Sequence, residues 1–595
     1  MAKTTSDFLM HRLAEWGVTR IYGYPGDGIN GIMGAFARFG DSIDFIQVRH
    51  EEMAAFMACA HAKFTGEVGV CMATSGPGAI HLLNGLYDAK MDHVPVVAIV
   101  GQAATTALGS DYQQEVDLQQ LMEDVCEYVY TVSAPEALAH IVDRAFRTAI
   151  GMRAVTAVIL PKDVQEEPYA KPPHKHNTAQ SSVGICRPVI VPQAHDLQRA
   201  ADILNACERP AMLVGAGALR ATDEVIAIAE RLGAGVAKAL LGKAAVPDDL
   251  PFVTGTIGLL GTAPSYKMMQ ECDALLMVGT FFPYSEFLPK PGQARGIQID
   301  IDPRNLGVRY PTEVNLVGDS AATLRALLPL LRERTEREWS DGIANWKTAW
   351  EKDERARAEV SASPINPQAV FTALNDVVPD NAILTGDAGT ASNWYARNIM
   401  MRRGMKGSLS GGLATMGSAV PYAISAKFAY PERVAIALTG DGAMQMNGNA
   451  ELLTVAKYWK RWADPRLIFM VLNNSDLNQV TWEMRVMSGN PKFDASQDLP
   501  HFSYAEYANQ LGLLGIRVDD PSQLHDAWKR ALSADRPAVI DAIVDPTVAQ
   551  LPPHITFEEA HNFMSAMVKG DPQEVSVIKE SIKELVAGIM PKSNK

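Results

Sequence analysis

Val434-Ala435-Ile436-Ala437-Leu438-Thr439-Gly440-Asp441-Gly442 and Leu467-Ile468-Phe469-Met470-Val471-Leu472-Asn473-Asn474 are the two stretches whose reading decides the fold. Each is a short continuous apolar run that stops at glycines or amides, the pattern of a strand covered on both faces in a parallel sheet. At the carboxyl end of such a strand, Gly440 and Gly442 let the backbone approach a diphosphate. The helix that follows, starting with Ala443, offers free N–H groups to it. Asp441 and Asn474 add hard oxygen ligands of the kind Mg²⁺ needs in its octahedral shell, and the backbone carbonyl of Asp476 is a further candidate. The bland alternative is a pair of ordinary turns. A lone Gly-Asp-Gly supports that alternative, and the paired asparagines at the end of a second strand oppose it. Thirty residues separate Gly442 from Asn473, with the stretch Trp459–Pro465 between helix and strand.

Working outward, the same punctuation recurs. Val68–Ala73 runs into Thr74-Ser75-Gly76-Pro77-Gly78, Val94–Val100 ends at Gly101, Ala211–Val214 meets Gly215-Ala216-Gly217, and Ile383–Leu384 meets Thr385-Gly386-Asp387. Apolar strands alternating with helical segments predict an α/β protein of doubly wound parallel sheets. With 595 residues the chain is too long for one core. Breaks at the Pro-rich stretch Glu166–Gln193 and at the charged stretch around Arg332–Pro364 divide it into an N-terminal domain (1–170), a linker (171–190), a central domain (191–335), a second linker (336–363), a C-terminal domain (364–550) and a helical tail (551–595). A net charge of −14 without a basic cluster argues against nucleic acid as a partner. The six cysteines form no CxxC or zinc-like spacing and fit a reducing cytoplasmic compartment. No apolar run has the ~18 residues that a membrane span requires.

A second signal is Arg49-His50-Glu51-Glu52-Met53-Ala54-Ala55-Phe56, which follows the apolar run Ile43–Val48 and opens a helix. Alone, the acid pair reads as a favourable helix N-terminus. With the Asp441 and Asn474 motif downstream, the chain resembles the pyruvate oxidase/acetolactate synthase branch of the thiamine diphosphate enzymes. The likeness runs through Tyr24-Pro25-Gly26-Asp27, Arg49–Phe56, Thr74–Gly78, Asp92-His93-Val94-Pro95-Val96, Gly411–Pro421, Gly440–Gly442 and Asn473-Asn474. The resemblance implies three domains that bind the pyrimidine, a nucleotide and the diphosphate. It assigns Glu51 to N1′ of the cofactor's aminopyrimidine, with Glu52 pointing elsewhere, Pro25 and Gly26 to cofactor contact, and Met416 to propping the cofactor. His93, Gln114 and Glu483 become candidates for contacting substrate or shuttling protons. It also implies a homodimer or homotetramer.

Within that branch the quinone-linked pyruvate oxidases are closest in look. Segments containing Gly255, Thr256, Gly279, Thr280, Asp300 and Asp302 resemble flavin-binding loops and imply FAD. The expected reaction is decarboxylation of a small 2-keto acid, pyruvate first, with oxidation through FAD to acetate or acetyl phosphate and a quinone or oxygen as acceptor. An acetolactate synthase-like carboligase is the enzymatic alternative, and a non-catalytic family member is the other. The tail places Val575, Ile578, Ile582, Leu585 and Ile589 at helical spacing, a face for peripheral membrane contact or for packing on the protein itself. The chain departs from the family pattern at Gln113, Asn478 and Gln479. Amides there stand for apolar or small residues, which raises pocket polarity and makes an extra polar group on the substrate plausible.

Overall fold

A computed structural model of the chain describes residues 3–550 and 557–584. Three six-stranded parallel sheets are present, as the alternation of apolar runs and helices predicts. The first holds β1 (Arg20–Gly23), β2 (Asp44–Gln47), β3 (Gly69–Ala73), β4 (Val96–Gln102), β5 (Tyr128–Thr131) and β6 (Val155–Pro161), in the order 2-1-3-4-6-5. The second holds β7 (Pro210–Val214), β8 (Gly235–Lys238), β9 (Val253–Thr256), β10 (Ala274–Val278), β11 (Arg295–Asp300) and β12 (Val314–Val317), in the order 9-8-7-10-11-12. The third holds β13 (Ile383–Gly386), β14 (Lys406–Ser408), β15 (Ala435–Gly440), β16 (Leu467–Asn473), β17 (Leu514–Val518) and β18 (Ala538–Ile543), in the order 14-13-15-16-18-17.

Counted within each sheet, the third repeats the strand order of the first, while the second has the 3-2-1-4-5-6 order of dinucleotide-binding folds. In open parallel sheets, ligands bind beyond the carboxyl ends of the strands where the winding reverses. Those points lie between β1 and β3, between β7 and β10, and between β13 and β15. The order alone therefore directs attention to the loops that follow these six strands.

The chain divides into two compact units. The first comprises residues 1–187, 409–437 and 445–467; the second comprises 188–408, 438–444 and 468–595. In the first, Leu9, Ile21, Ile32, Val70, Ile99, Phe146 and Val158 form one fully buried core. The helix Glu51–Thr65 is bound to the helix Ala419–Ala429, where Ser425 Oγ donates to the Met57 carbonyl at 2.7 Å. In the second unit, Leu204, Val214, Ile228, Val236, Leu276, Ile299 and Leu324 are buried on one face of the central sheet. The stretch 336–363 carries a helix, Glu338–Ala358, whose Lys347 Nζ donates to the carbonyls of Asp248 and Leu250 at 2.5 and 2.7 Å.

Two helices close the second unit, Phe557–Val568 and Glu574–Glu584. Ala566, Met567 and Val577 are buried against Trp482 and Ala549, with Ile578 alongside. The stripe read from the sequence is only partly the packed face: Val575 is 81% exposed, and Val577 faces inward instead. Asp571 and Gln573 bind Arg485 just before this helix begins, which sets its rotation. The side chain of Ile582, and Leu585 and Ile589, lie outside the described residues. Among the described residues, no helix is long and apolar enough to cross a membrane.

Candidate functional site

β15 ends at Gly440, and the chain turns at once into the helix Asp441–Ala443 and a π-helical turn, Met444–Gly448. A Cβ on Gly440 would point into open space. Asp441 Oδ1 accepts the Gly442 N–H at 2.9 Å, and Oδ2 accepts those of Asn474 and Ser475 at 2.8 and 2.6 Å. The loops after β15 and β16 are thus tied to each other through this carboxylate. Asn474 Oδ1 accepts the Asp476 N–H at 3.1 Å. Burial pushes the Asp441 carboxyl up to about 7 although three backbone N–H groups oppose it. A hard divalent cation beside it would restore the carboxylate. Asp441 and Asn474 form an all-oxygen donor set on adjacent loops, which fits such a cation. The Asp476 carboxylate is engaged by Asn478 Nδ2 (2.9 Å), Thr481 Oγ1 (3.0 Å) and Lys492 Nζ (3.2 Å), so its backbone carbonyl is the oxygen left for a metal.

In the first unit, Glu51 is the first residue of its helix and is 8% exposed. Its Oε2 lies 3.0 Å from His81 Nδ1, and the His81 ring stacks on His50 with centroids 4.4 Å apart. Gly78 sits below the carboxylate: a Cβ there would come within 3.2 Å of Glu51 Oε1. Ser75 Oγ donates to Gln114 Oε1 at 3.1 Å, and Gln114 adopts φ +63°. Gly26 packs so closely on Thr74 that a Cβ would fall 2.5 Å from that residue's Cβ, and Pro25 beside it is exposed. The loops after β1 and β3 carry Gly26 and Gly78, and Glu51, just past β2, and Gln114, past β4, pack against the loop after β3.

His50, Glu51 and His81 offer ligand atoms within 4.8 Å of one another. His50 Nδ1, however, accepts the Glu52 N–H at 3.2 Å, so the other nitrogen of the neutral ring carries the hydrogen and has no lone pair for a metal.

Glu52 does more than point away. Its Oε1 accepts from Asn84 Nδ2 at 2.5 Å, and the same amide donates to Thr415 Oγ1 at 3.1 Å. Upstream in that loop, Asp92 accepts the N–H groups of Gly411 and Gly412 at 3.0 and 2.6 Å and the Lys63 ammonium at 2.6 Å. The half-buried Met416 is thus carried by a loop bound to the Glu51 helix.

The remaining predicted residues are less gathered. His93 is exposed at a left-handed turn, φ +53°, and among the described residues no hydrogen bond joins its ring to Glu51 or Gln114. Glu483 is exposed and accepts from Gln479 Nε2 at 2.9 Å. Gln113 is exposed as well. In the central sheet, Gly255, Thr256, Gly279 and Asp300 stand at carboxyl ends of strands, with Thr280 and Asp302 just beyond. A Cβ on Gly217 would lie 2.7 Å from Gly279 Cα, so these glycines are required by loop packing and do not by themselves indicate a phosphate. Asp300 Oδ1 accepts the Asp302 N–H at 2.9 Å, and Asp302 pairs with Arg304.

The sequence did not single out His81, Asn84, Asn393 or Gln550. His81 and Asn84 stand three residues apart just after Gly76-Pro77-Gly78, a spacing that could have marked them. Asn393 and Gln550 carry no motif.

Three family models match the chain: the thiamine pyrophosphate enzyme N-terminal TPP binding domain over residues 3–121, the central domain over 197–327, and the C-terminal TPP binding domain over 387–542. The chain is 36% identical over 591 residues to the thiamine pyrophosphate-containing protein YdaP of Bacillus subtilis (strain 168), covering 98% of this chain and 99% of that protein. It is 31% identical to the pyruvate oxidase of Lactiplantibacillus plantarum, covering 89% of this chain and 87% of the relative. It is 30% identical to the acetolactate synthase isozyme 3 large subunit of Escherichia coli (strain K12), covering 91% and 94%.

Proposed function

The chain belongs to the thiamine pyrophosphate enzyme family, and on that premise we propose that it decarboxylates a small 2-keto acid, with pyruvate as reference substrate, and oxidises the remaining acyl group through FAD. The observation that carries the reading is the bonding of Asp441 to the Asn474–Ser475 loop beside the β13/β15 reversal. Bound thiamine diphosphate supplies the carbon nucleophile and takes up the electron pair left when carbon dioxide departs.

The protein's part is to bind, orient and manage protons. Asp441, Asn474 and the Asp476 carbonyl would hold Mg²⁺, while the backbone of Gly440–Ala443 would receive the diphosphate. Glu51 would hold a proton against N1′ of the aminopyrimidine, with His81 fixing the carboxylate's orientation. Gln114, positioned by Ser75, would contact the substrate. FAD, where bound, would supply the two-electron acceptor, with a quinone or oxygen as the final oxidant. Water as acyl acceptor gives acetate, and phosphate gives acetyl phosphate.

The test is anaerobic addition of pyruvate to the purified protein loaded with thiamine diphosphate and Mg²⁺. Bleaching of a flavin band near ~450 nm with release of carbon dioxide supports the oxidase reading. Carbon dioxide and acetolactate without bleaching would replace it with the carboligase. A protein that consumes neither pyruvate nor any other small 2-keto acid would overturn the proposal.

A further inference from the structure

Asn478 and Gln479, the two amides that depart from the family pattern after the asparagine pair, belong to a chain of side-chain amides whose direction is fixed at both ends. At one end, Asn478 Nδ2 donates to Asp476 Oδ2 at 2.9 Å and to the Pro546 carbonyl at 2.8 Å. A carboxylate and a carbonyl only accept, so this side of the Asn478 amide must be its nitrogen. Its oxygen therefore faces Gln550, and Gln550 Nε2 donates to it at 2.8 Å. Gln550 Oε1 in turn accepts from Asn393 Nδ2. At the other end, the Glu483 carboxylate accepts from Gln479 Nε2 at 2.9 Å, which turns Gln479 Oε1 toward Asn393 Nδ2, at 2.8 Å. Both relays end on the same nitrogen.

The consequence falls on Asn393. Both of its N–H groups are committed, and among the described residues its Oδ1, in a residue only 2% exposed, meets no donor. Unmatched buried acceptors are rare in native proteins, and each calls for an explanation. Asn393 lies on the helix Thr390–Asn398, which follows β13, and β13 and β15 flank the reversal beside which Asp441 stands. Of its two amide partners, Gln479 adjoins the exposed Val480 and Glu483 and is itself half-buried. It is the side chain that can swing away. A ligand group taking its place would accept the N–H that Gln479 now accepts, and one that also donates would supply the hydrogen that Oδ1 lacks.

Resting on the proposed 2-keto acid chemistry, we infer that Asn393 is a specificity-determining residue for a 2-keto acid whose side chain carries a neutral group that both donates and accepts a hydrogen bond, a hydroxyl or a carboxamide. A methyl group, as in pyruvate, leaves Oδ1 unmatched. A second carboxylate is disfavoured because Glu483 stands beside Gln479 and the Lys492 ammonium at the other end is already paired with Asp476.

The test uses an isosteric pair, 3-hydroxypyruvate and 2-oxobutyrate, which differ by hydroxyl against methyl. Their kcat/KM values are measured on the cofactor-loaded enzyme, and their dissociation constants by calorimetry, which needs no turnover. Wild type is expected to favour the hydroxylated acid at least ~10-fold in both measurements, since sites built to bond a hydroxyl reject its isostere strongly. Asn393→Leu, of nearly the same shape, should bring both ratios close to one. Equal binding of the two acids to wild type, or a ratio that survives Asn393→Leu, would mean that a trapped water satisfies Asn393, and the inference falls. Discrimination in binding without turnover of either acid would instead leave the inference standing and overturn the proposed reaction.

Discussion

Ser475 hands its backbone N–H to Asp441 Oδ2 at 2.6 Å while holding φ at +54°. One carboxylate therefore does two jobs, and two substitutions separate them. Asp441→Asn keeps an oxygen for the loop N–H groups but loses the charge a cation needs. It is expected to melt close to wild type while binding thiamine diphosphate with Mg²⁺ at least ~100-fold more weakly. Asp441→Ala leaves the N–H groups of Asn474 and Ser475 unmatched, at about 1–3 kcal/mol each. It should lower both the melting temperature and cofactor affinity. Calorimetric titration alongside thermal melts distinguishes the two, and equal cofactor affinity in wild type and Asp441→Asn would remove this residue from the cation site.

Glu51 and His81 make the corresponding pair in the first unit. Glu51→Gln preserves shape and removes the proton-holding group, so turnover should fall by about 10²–10⁴ with the melting temperature unchanged. His81→Ala only frees the carboxylate to rotate. Its expected loss is smaller, around 10-fold, and steady-state rates measured at saturating cofactor would show the order. Activity of Glu51→Gln equal to wild type would contradict the assignment.

What the sequence made legible has a physical boundary. Gly440–Gly442 and Asn473-Asn474 could be found because continuous apolar strands end there, and the chemistry of a parallel sheet sits at strand ends. Glu51 was readable for the same reason, lying just past β2. Strand order was not readable: nothing local in the sequence states that β3 lies beside β1, or that the third sheet repeats the winding of the first. Asn393 was hidden because its meaning depends on Gln479 and Gln550, which stand 86 and 157 positions away. In the helix Glu574–Glu584, which of Val575 and Val577 packs inward could not be read locally, since the preceding Asp571 is bound to the distant Arg485.

Glu451 gives a prediction on pH. Its side chain is fully buried in the helix Asn449–Tyr458, where Oε1 accepts the Arg49 N–H at 2.7 Å. Burial pushes the carboxyl up to about 7, and the backbone donor offsets this only in part. The folded chain thus holds the proton more tightly than the unfolded chain. Between the ordinary glutamate value and about 7, stability must fall as pH rises, and above that range the full cost of the buried charge persists. Glu451→Gln keeps the acceptor for Arg49 and removes the charge. Denaturant unfolding should show the variant more stable by about 1–3 kcal/mol at pH 8, with the gap narrowing toward pH 5. A gap that widens on acidification would refute the sign.

Arg485 and Asp571 offer the sharpest test of how the C-terminal helices are held. Both side chains are fully buried, and they meet in a two-point bond, Nε to Oδ2 and Nη2 to Oδ1, each 2.8 Å. Burial alone would push the Asp571 carboxyl up. The Arg485 guanidinium and the N–H groups of Lys492 and Gln573 outweigh it and hold the carboxyl below the ordinary aspartate value. The pair's contribution is therefore complete above that ordinary value and is lost as pH falls through the lower folded one. Asp571→Ala leaves a guanidinium buried without its partner, a loss of about 3–5 kcal/mol. Because Trp482 packs with Ala566, Met567 and Val577 beside this pair, the loss should appear first as faster hydrogen exchange and proteolysis within 557–584. The double substitution Arg485→Met with Asp571→Leu removes both charges together and should restore most of the protection, since a buried ion pair seldom outperforms apolar residues of similar volume. If Asp571→Ala exchanged no faster than wild type in this segment, the helices would have to be held by the apolar contacts alone.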